Sequence, residues 1–247
     1  MIKFFRKIRQ NLLSEGKTGK YFKYAIGEII LVVIGILIAL SINNWNQNIT
    51  YKNELQQILK EVQIDLNKDL LRLNSDISYA KKFKNYVDNV LNNGNTMTSD
   101  SLLKAIRKVH GIQSFVAKDI GYNKMVNHPR TDILSDSLTT NLTYYYYNYG
   151  SQSKISDTRK ETLSGYSMNK LRDYLIEYGF PIENKQAGIK GLNDSLSLKR
   201  MINDIKFIGI LRNAKWNRNV QLSGFIRARK TVEQNLDIID SYLTNSD

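Results

Sequence analysis

Apolar residues fall along this chain in two different rhythms. From Ala25 to Ile42 every residue is apolar or small except Glu28, and Tyr24 and Trp45 stand at the two ends. On a helix rising 1.5 Å per residue those aromatics lie about 31 Å apart, close to the roughly 30 Å of a bilayer's hydrocarbon core. The stretch therefore predicts a transmembrane helix over 24–46 with Tyr24 and Trp45 as interfacial anchors. Beyond it the rhythm changes to steps of three and four through Leu55, Leu59, Val62, Leu66, Leu70, Leu73, Ile77, Ala80, Phe83, Val87 and Leu91. That spacing predicts a long amphipathic helix with a narrow, coiled-coil-like seam. It stops at Asn92–Asn95, a glycine and asparagine cluster suited to a helix end. Joined without a break, Ala25 to Leu91 would form one rod about 100 Å long.

Shorter periodic runs follow. They predict helices over Ser99–His110, Leu134–Tyr149 and Lys154–Tyr178, the last closing at Gly179 before Pro181, with a poorly periodic segment running up to Pro129. A final helix is expected near Leu196–Leu243, where the polar middle around Asn213–Asn219 predicts a kink or a solvent-exposed face. Three of these starts carry the tripeptide Asp-Ser-Leu, at 100–102, 136–138 and 194–196. Short oxygen-bearing side chains before an apolar-periodic run read as helix caps. The expected fold class is all-α: one N-terminal transmembrane helix continuing into or joined to an extracytoplasmic antiparallel helical bundle with long first and last helices.

Charge gives the span a direction. Of the net +13, residues 1–23 hold seven basic side chains against Glu15, whereas Lys52 and Lys60 are the basic residues just past Trp45. Positive flanks stay in the cytoplasm, which predicts a basic cytoplasmic tail over 1–23 and an extracytoplasmic domain over 47–247. A cleaved signal peptide shares the basic start and apolar core, but the length of the run and its Asn-Asn-Trp exit favour an uncleaved anchor. With the basic excess concentrated beside a membrane span, nucleic acid is not the expected partner. The absence of cysteine excludes a thiol nucleophile or a cysteine zinc site, and two histidines, His110 and His128, make a multi-histidine metal centre within one chain untenable. No cofactor is expected.

The run MIKFFRKIRQNLLSEGKTGKYFKYAIGEIILVVIGILIALSINNWN closely resembles the start of a family of uncharacterised single-span membrane proteins of Bacteroidota, a domain of unknown function. A looser resemblance continues through Lys118–Tyr149 and the final helical stretch. It implies an inner-membrane anchor, single-pass with a cytoplasmic N-terminus, bearing a helical periplasmic domain, and it brings no activity or catalytic residue. Asp-Ser-Leu also resembles an acceptor signal for periplasmic O-glycosylation in this bacterial group, which marks Ser101, Ser137 and Ser195 as candidate glycan sites.

Few residues suggest chemistry. The aromatic run Thr143–Tyr149 looks like a stacking platform, yet Leu138, Leu142, Tyr145 and Tyr149 share one helical stripe, so about half of the tyrosines should face a core. Gly165–Asn169 resembles a nucleophile elbow without its last glycine or preceding strand. Gly188–Asn193 reads as a linker and not as a phosphate loop. Asp65 and Asp69 lie one turn apart on what reads as a solvated helix face. Nine basic residues between Lys199 and Lys230 face only Asp204, and Arg227, Arg229 and Lys230 form the densest candidate anion-binding cluster.

Glu28 is the ionisable group of the span. It shares a helix face with Gly35, Ala39 and Ile42, and the Gly35-x-x-x-Ala39 spacing allows close helix approach. These features predict a non-enzymatic, membrane-anchored periplasmic scaffold or interaction protein. It would be homo-oligomeric through the span and the Leu55–Leu91 seam and would meet the lipid bilayer and another envelope protein. Two other readings are a stator-like subunit of an ion-driven envelope machine using Glu28, and a ligand-sensing subunit that signals through a partner span.

Overall fold

The computed structural model describes residues 18–108, 115–151, 170, 173–174 and 195–245. Among these it is all-helical, without a strand. Helix α1 runs unbroken from Thr18 to Asn93. It is followed by α2 (Ser99–Lys108), α3 (Ile120–Val126), a single 3-10 turn at Thr131–Ile133, α4 (Asp136–Tyr149), α5 (Ser195–Asn203) and α6 (Ile205–Thr244). The chain divides into two compact units, Met1–Glu54 and Leu55–Asp247.

In the first unit the apolar side chains are uncovered on all sides of the helix. Ile26, Ile29, Leu31, Val33, Leu37, Leu40 and Ile42 are all exposed, and none of the apolar window is buried. A helix that is apolar around its whole circumference is matched to hydrocarbon, whereas one in water hides a single stripe. This stretch is long and apolar enough to cross a membrane and is consistent with a single-pass membrane protein.

The second unit shows the single stripe. Leu55, Leu59, Val62, Leu66, Asp69, Leu73, Asp76, Ala80, Phe83, Val87 and Val90 are all buried and alternate strictly in steps of four and three. A repeat averaging 3.5 residues keeps one seam facing a partner helix over many turns. Helix α6 carries the same repeat through Phe207, Leu211, Arg218, Phe225, Ala228, Val232, Asn235 and Ile239. Gln63 hydrogen-bonds Asp240, Lys215 pairs with Asp88, and the Arg218 guanidinium lies 4.1 Å over the Phe83 ring, so the two long helices run antiparallel. The seam expected to join copies of the chain is instead covered by the chain's own helices. Asp69, Asp76 and Val90 join the expected residues on the seam; Ile77 is buried as expected, while Leu70 and Leu91 are half-buried.

Two apolar clusters fill the unit. One gathers Leu55–Ile77 of α1, Met125, Leu138, Leu142, Tyr145, Tyr146 and the C-terminal half of α6. The other joins Phe83–Val90 to Leu102, Tyr174, Met201, Ile202, Phe207 and Leu211. Two of the three Asp-Ser-Leu sequences sit at helix starts. Thr98 Oγ1 accepts from the Ser101 amide at α2 and Ser135 accepts from the Leu138 amide at α4, while Asp194 of the third lies outside the described residues.

The last helical stretch departs from expectation. Its polar middle, Asn213–Asn219, is unbroken helix and mostly solvent-facing, the second of the two expected outcomes, and the interruption falls instead at Asp204. That carboxylate caps α6 by accepting from the Lys206 amide at 2.7 Å and also accepts from the Tyr174 hydroxyl at 2.9 Å. The sole acid in a basic stretch is thus the cap that separates α5 from α6. Most of the helix expected over Lys154–Tyr178, and the segments Gly165–Asn169 and Gly188–Asn193, lie outside the described residues.

Candidate functional site

Two places in the second unit bring polar groups together. The first surrounds the carboxylates of Asp65 and Asp69. Both are buried, with Asp69 only 1 % exposed, which corrects the expectation of a solvated face. Helix α3 explains why. It has seven residues, too few to be stable alone, and its N-cap, Asp119, makes no side-chain capping bond. The Asp119 carboxylate instead accepts from the Ser151 amide and hydroxyl. The orphan amide of Gly121 donates to Asp65 Oδ2 at 3.1 Å, and the Lys118 amide donates to both Asp69 oxygens at 3.2 Å. A helix end that lacks a local cap is therefore capped from α1.

Gly121 permits this. A Cβ there would sit 2.7 Å from the Val62 backbone nitrogen. The absence of a side chain lets α3 lie directly on α1.

Tyr145 completes the arrangement, its hydroxyl donating to Asp69 Oδ2 at 2.9 Å. Burial pushes the Asp69 carboxyl up to about 6, against the pull of the Tyr145 hydroxyl and the Lys118 amide, which favour the anion. Tyr145 itself is driven far above its ordinary range by burial and by the Asp69 charge. Both oxygens of Asp69 are engaged with protein donors and have no route to solvent, so the carboxylate holds a fold and is not placed to meet a substrate. Asp76, two turns on, is also pushed up by burial, with Arg72 Nε 3.8 Å away. Among the described residues, the Tyr146 hydroxyl and both Asn235 amide atoms are buried without a hydrogen-bond partner.

The tyrosine run divides much as its spacing predicted. Tyr145 and Tyr146 are buried, Tyr149 is half-buried, and Tyr144 and Tyr147 are exposed. Tyr146 stacks on Tyr122 with ring centres 4.3 Å apart.

The second place is a groove of about 460 Å³ between the end of α1 and the start of α6. Its apolar walls come from Val90, Leu91, Ile202, Ile208 and Leu211, and its polar lining from Asn92, Arg212, Lys215, Trp216 and Asn219. Trp216 is 63 % exposed. Arg212, Trp216 and Asn219 are spaced four and three apart, which puts them on one face of α6.

The remaining sequence candidates are spread over both units. Glu28 is half-exposed, and Gly35, Ala39, Ile42, Tyr24 and Trp45 are exposed along the first part of α1. Arg227 and Lys230 are exposed, while Arg229 is half-buried with its Nε 3.5 Å from Glu233, so the three do not converge on one point. Ser101 and Ser137 are exposed, as glycan acceptors must be. The side chain of Ser195 lies outside the described residues, as does His110. Among the described residues no group of three or more metal-ligating side chains comes together.

Sequence reasoning missed both places. Asp69 and Asp76 announce themselves by standing where the three-and-four alternation calls for an apolar residue. The groove has no local signal, because its lining comes from segments more than a hundred residues apart.

Residues 28–149 are similar to a family of unknown function, DUF6090. The similarity takes in most of the apolar stretch, the seam of α1 and the α3–α4 segment that docks on Asp65 and Asp69. Comparison with curated proteins and with solved structures gave no match.

Proposed function

We propose that this chain is a membrane-anchored, non-enzymatic scaffold or interaction protein of a bacterial inner membrane. Residues 24–46 cross the bilayer, 1–23 lie in the cytoplasm, and the domain that follows folds in the periplasm. The observation that carries this reading is the contrast in coverage along α1: apolar side chains exposed on every side from Ile26 to Ile42, then a single stripe from Leu55 to Val90 covered by the chain itself. Charge supports the direction, since the basic excess lies before the span. Asp65 and Asp69, the most buried paired carboxylates, cap backbone amides, which supports a structural use of the ionisable interior. With the seam covered, the span face of Glu28, Gly35 and Ala39 is the surface through which copies, or a partner envelope protein, would meet.

The absence of native cysteine makes the test clean. Ser241→Cys should react with a membrane-impermeant maleimide in intact spheroplasts, and the protein should stay with membranes through an alkaline carbonate wash. Labelling only after lysis overturns the orientation, and release by carbonate overturns the anchor. Ala39→Cys should give a disulfide-linked dimer under mild oxidation; a strict monomer removes the oligomer.

A further inference from the structure

The groove beside Trp216 differs from its surroundings in what its polar groups are doing. Nearby asparagines are engaged: Asn217 donates to Asn213 Oδ1 at 3.0 Å, Asn93 to Asn89 Oδ1 at 2.8 Å, and Asn203 at the end of α5 exchanges bonds with Asn95 in the turn after α1. Lys215 is paired with Asp88. Asn92, Arg212, Asn219 and the Trp216 indole line the groove with no hydrogen bond or ion pair among the described residues. Within one groove there are thus a stacking face, an uncompensated guanidinium, two amides that can both donate and accept, and an apolar wall.

We propose that this groove binds a hexuronic acid residue, with the Trp216 ring against the C–H face of the sugar and the Arg212 guanidinium on its carboxylate. Each feature selects part of that chemistry. An exposed indole with an apolar wall beside it favours a ring with one apolar face. The guanidinium fork matches a carboxylate in two parallel hydrogen bonds. Asn92 and Asn219 suit hydroxyls, which also donate and accept. Charge restricts the ligand further: Lys215 and Asp88 cancel, so the described lining of the groove offers one net positive charge, which a monoanion neutralises and a phosphate monoester exceeds. The volume lies within the roughly 300–1,000 Å³ common to small-molecule sites. The site goes beyond the scaffold reading and does not depend on which side of the membrane the domain faces.

The experiment uses the full chain in detergent micelles with Trp45→Phe, which leaves Trp216 as the sole indole of the two in the sequence. D-glucuronate should change the Trp216 emission saturably, with D-glucose binding about tenfold more weakly and acetate producing no change, since a hydrogen-bonded ion pair is worth about that factor or more. Arg212→Gln should lower glucuronate affinity about tenfold while leaving glucose binding unchanged, and Arg212→Lys should fall between them. Equal responses to glucuronate and glucose, no response at about 100 mM, far above the millimolar range of weak sites, or an unchanged affinity in Arg212→Gln overturns the proposal. Trigalacturonate identifies the source: binding more than about tenfold tighter than the monomer marks a polymer segment, and equal binding marks a free sugar acid.

Discussion

Around Asp69 the polar groups are turned inward, and around Trp216 they are turned outward. In the first region a carboxylate accepts from the Lys118 amide and the Tyr145 hydroxyl inside a cluster of leucines and tyrosines. In the second, an arginine, an indole and two amides line a groove and bond nothing in the described chain. A buried polar group without a partner costs stability, whereas an exposed one costs little because water serves it. The inward region is therefore where substitution should damage the fold, and the outward region is where substitution should damage binding alone.

The largest effect should come from Leu66→Ala. Leu66 is fully buried on the α1 seam, and a cavity there should lower unfolding stability by about 2–5 kcal/mol. Urea denaturation followed by tyrosine near-ultraviolet circular dichroism checks this; a loss below about 1 kcal/mol would mean that the seam is not a packed core.

Next comes a pH effect. The Asp69 carboxyl is raised in the fold from 3.8 to about 6. Its contribution is fully present below about pH 4, where both states are protonated, and is lost as pH rises through about 6, because only the unfolded chain ionises freely between those values. Relative to Asp69→Asn, the native protein should lose of the order of 2–3 kcal/mol between pH 4 and pH 7. Parallel pH profiles for the two would show that Asp69 is solvated after all.

Asn235→Leu runs the other way. Both amide atoms of Asn235 are buried without partners among the described residues, so an apolar side chain of similar size should raise stability by about 1–2 kcal/mol. A loss on the same urea curve would point to a partner that Asn235 needs. Trp216→Ala should be the mildest, within about 0.5 kcal/mol of the native protein, while abolishing glucuronate binding read by ligand-detected NMR. A large loss of stability there would erase the distinction between the two regions.

How much of this was legible in advance depended on distance along the chain. The α1 seam, the helix starts at Asp100–Leu102 and Asp136–Leu138 and the division of the tyrosines follow from spacing of a few residues, and the fold obeys them. Helix α3 was missed because its seven residues have no periodicity of their own and are held by Asp65 from another helix. Of the two outcomes expected for Asn213–Asn219, a kink or a solvent-exposed face, the second holds: Asn213 and Trp216 are exposed on an unbroken helix, and Arg218 alone turns onto the seam, over Phe83. Asp69 and Asp76 escape an apolar template because it steps around a charge; beside them Ile77 is buried as expected and Leu70 is half-buried. The groove needed the antiparallel register of α1 and α6 before Asn92 and Trp216 could be neighbours.

The cross-helix capping of α3 also works as a clock. Amides of a seven-residue surface helix would ordinarily trade their hydrogens for deuterium quickly, through local fraying. The Gly121 amide in its first turn, and the Lys118 amide just before the helix, are held by carboxylates rooted in the most buried part of α1. They can exchange only when that part opens, so in heavy water their half-lives measure the opening of the seam itself.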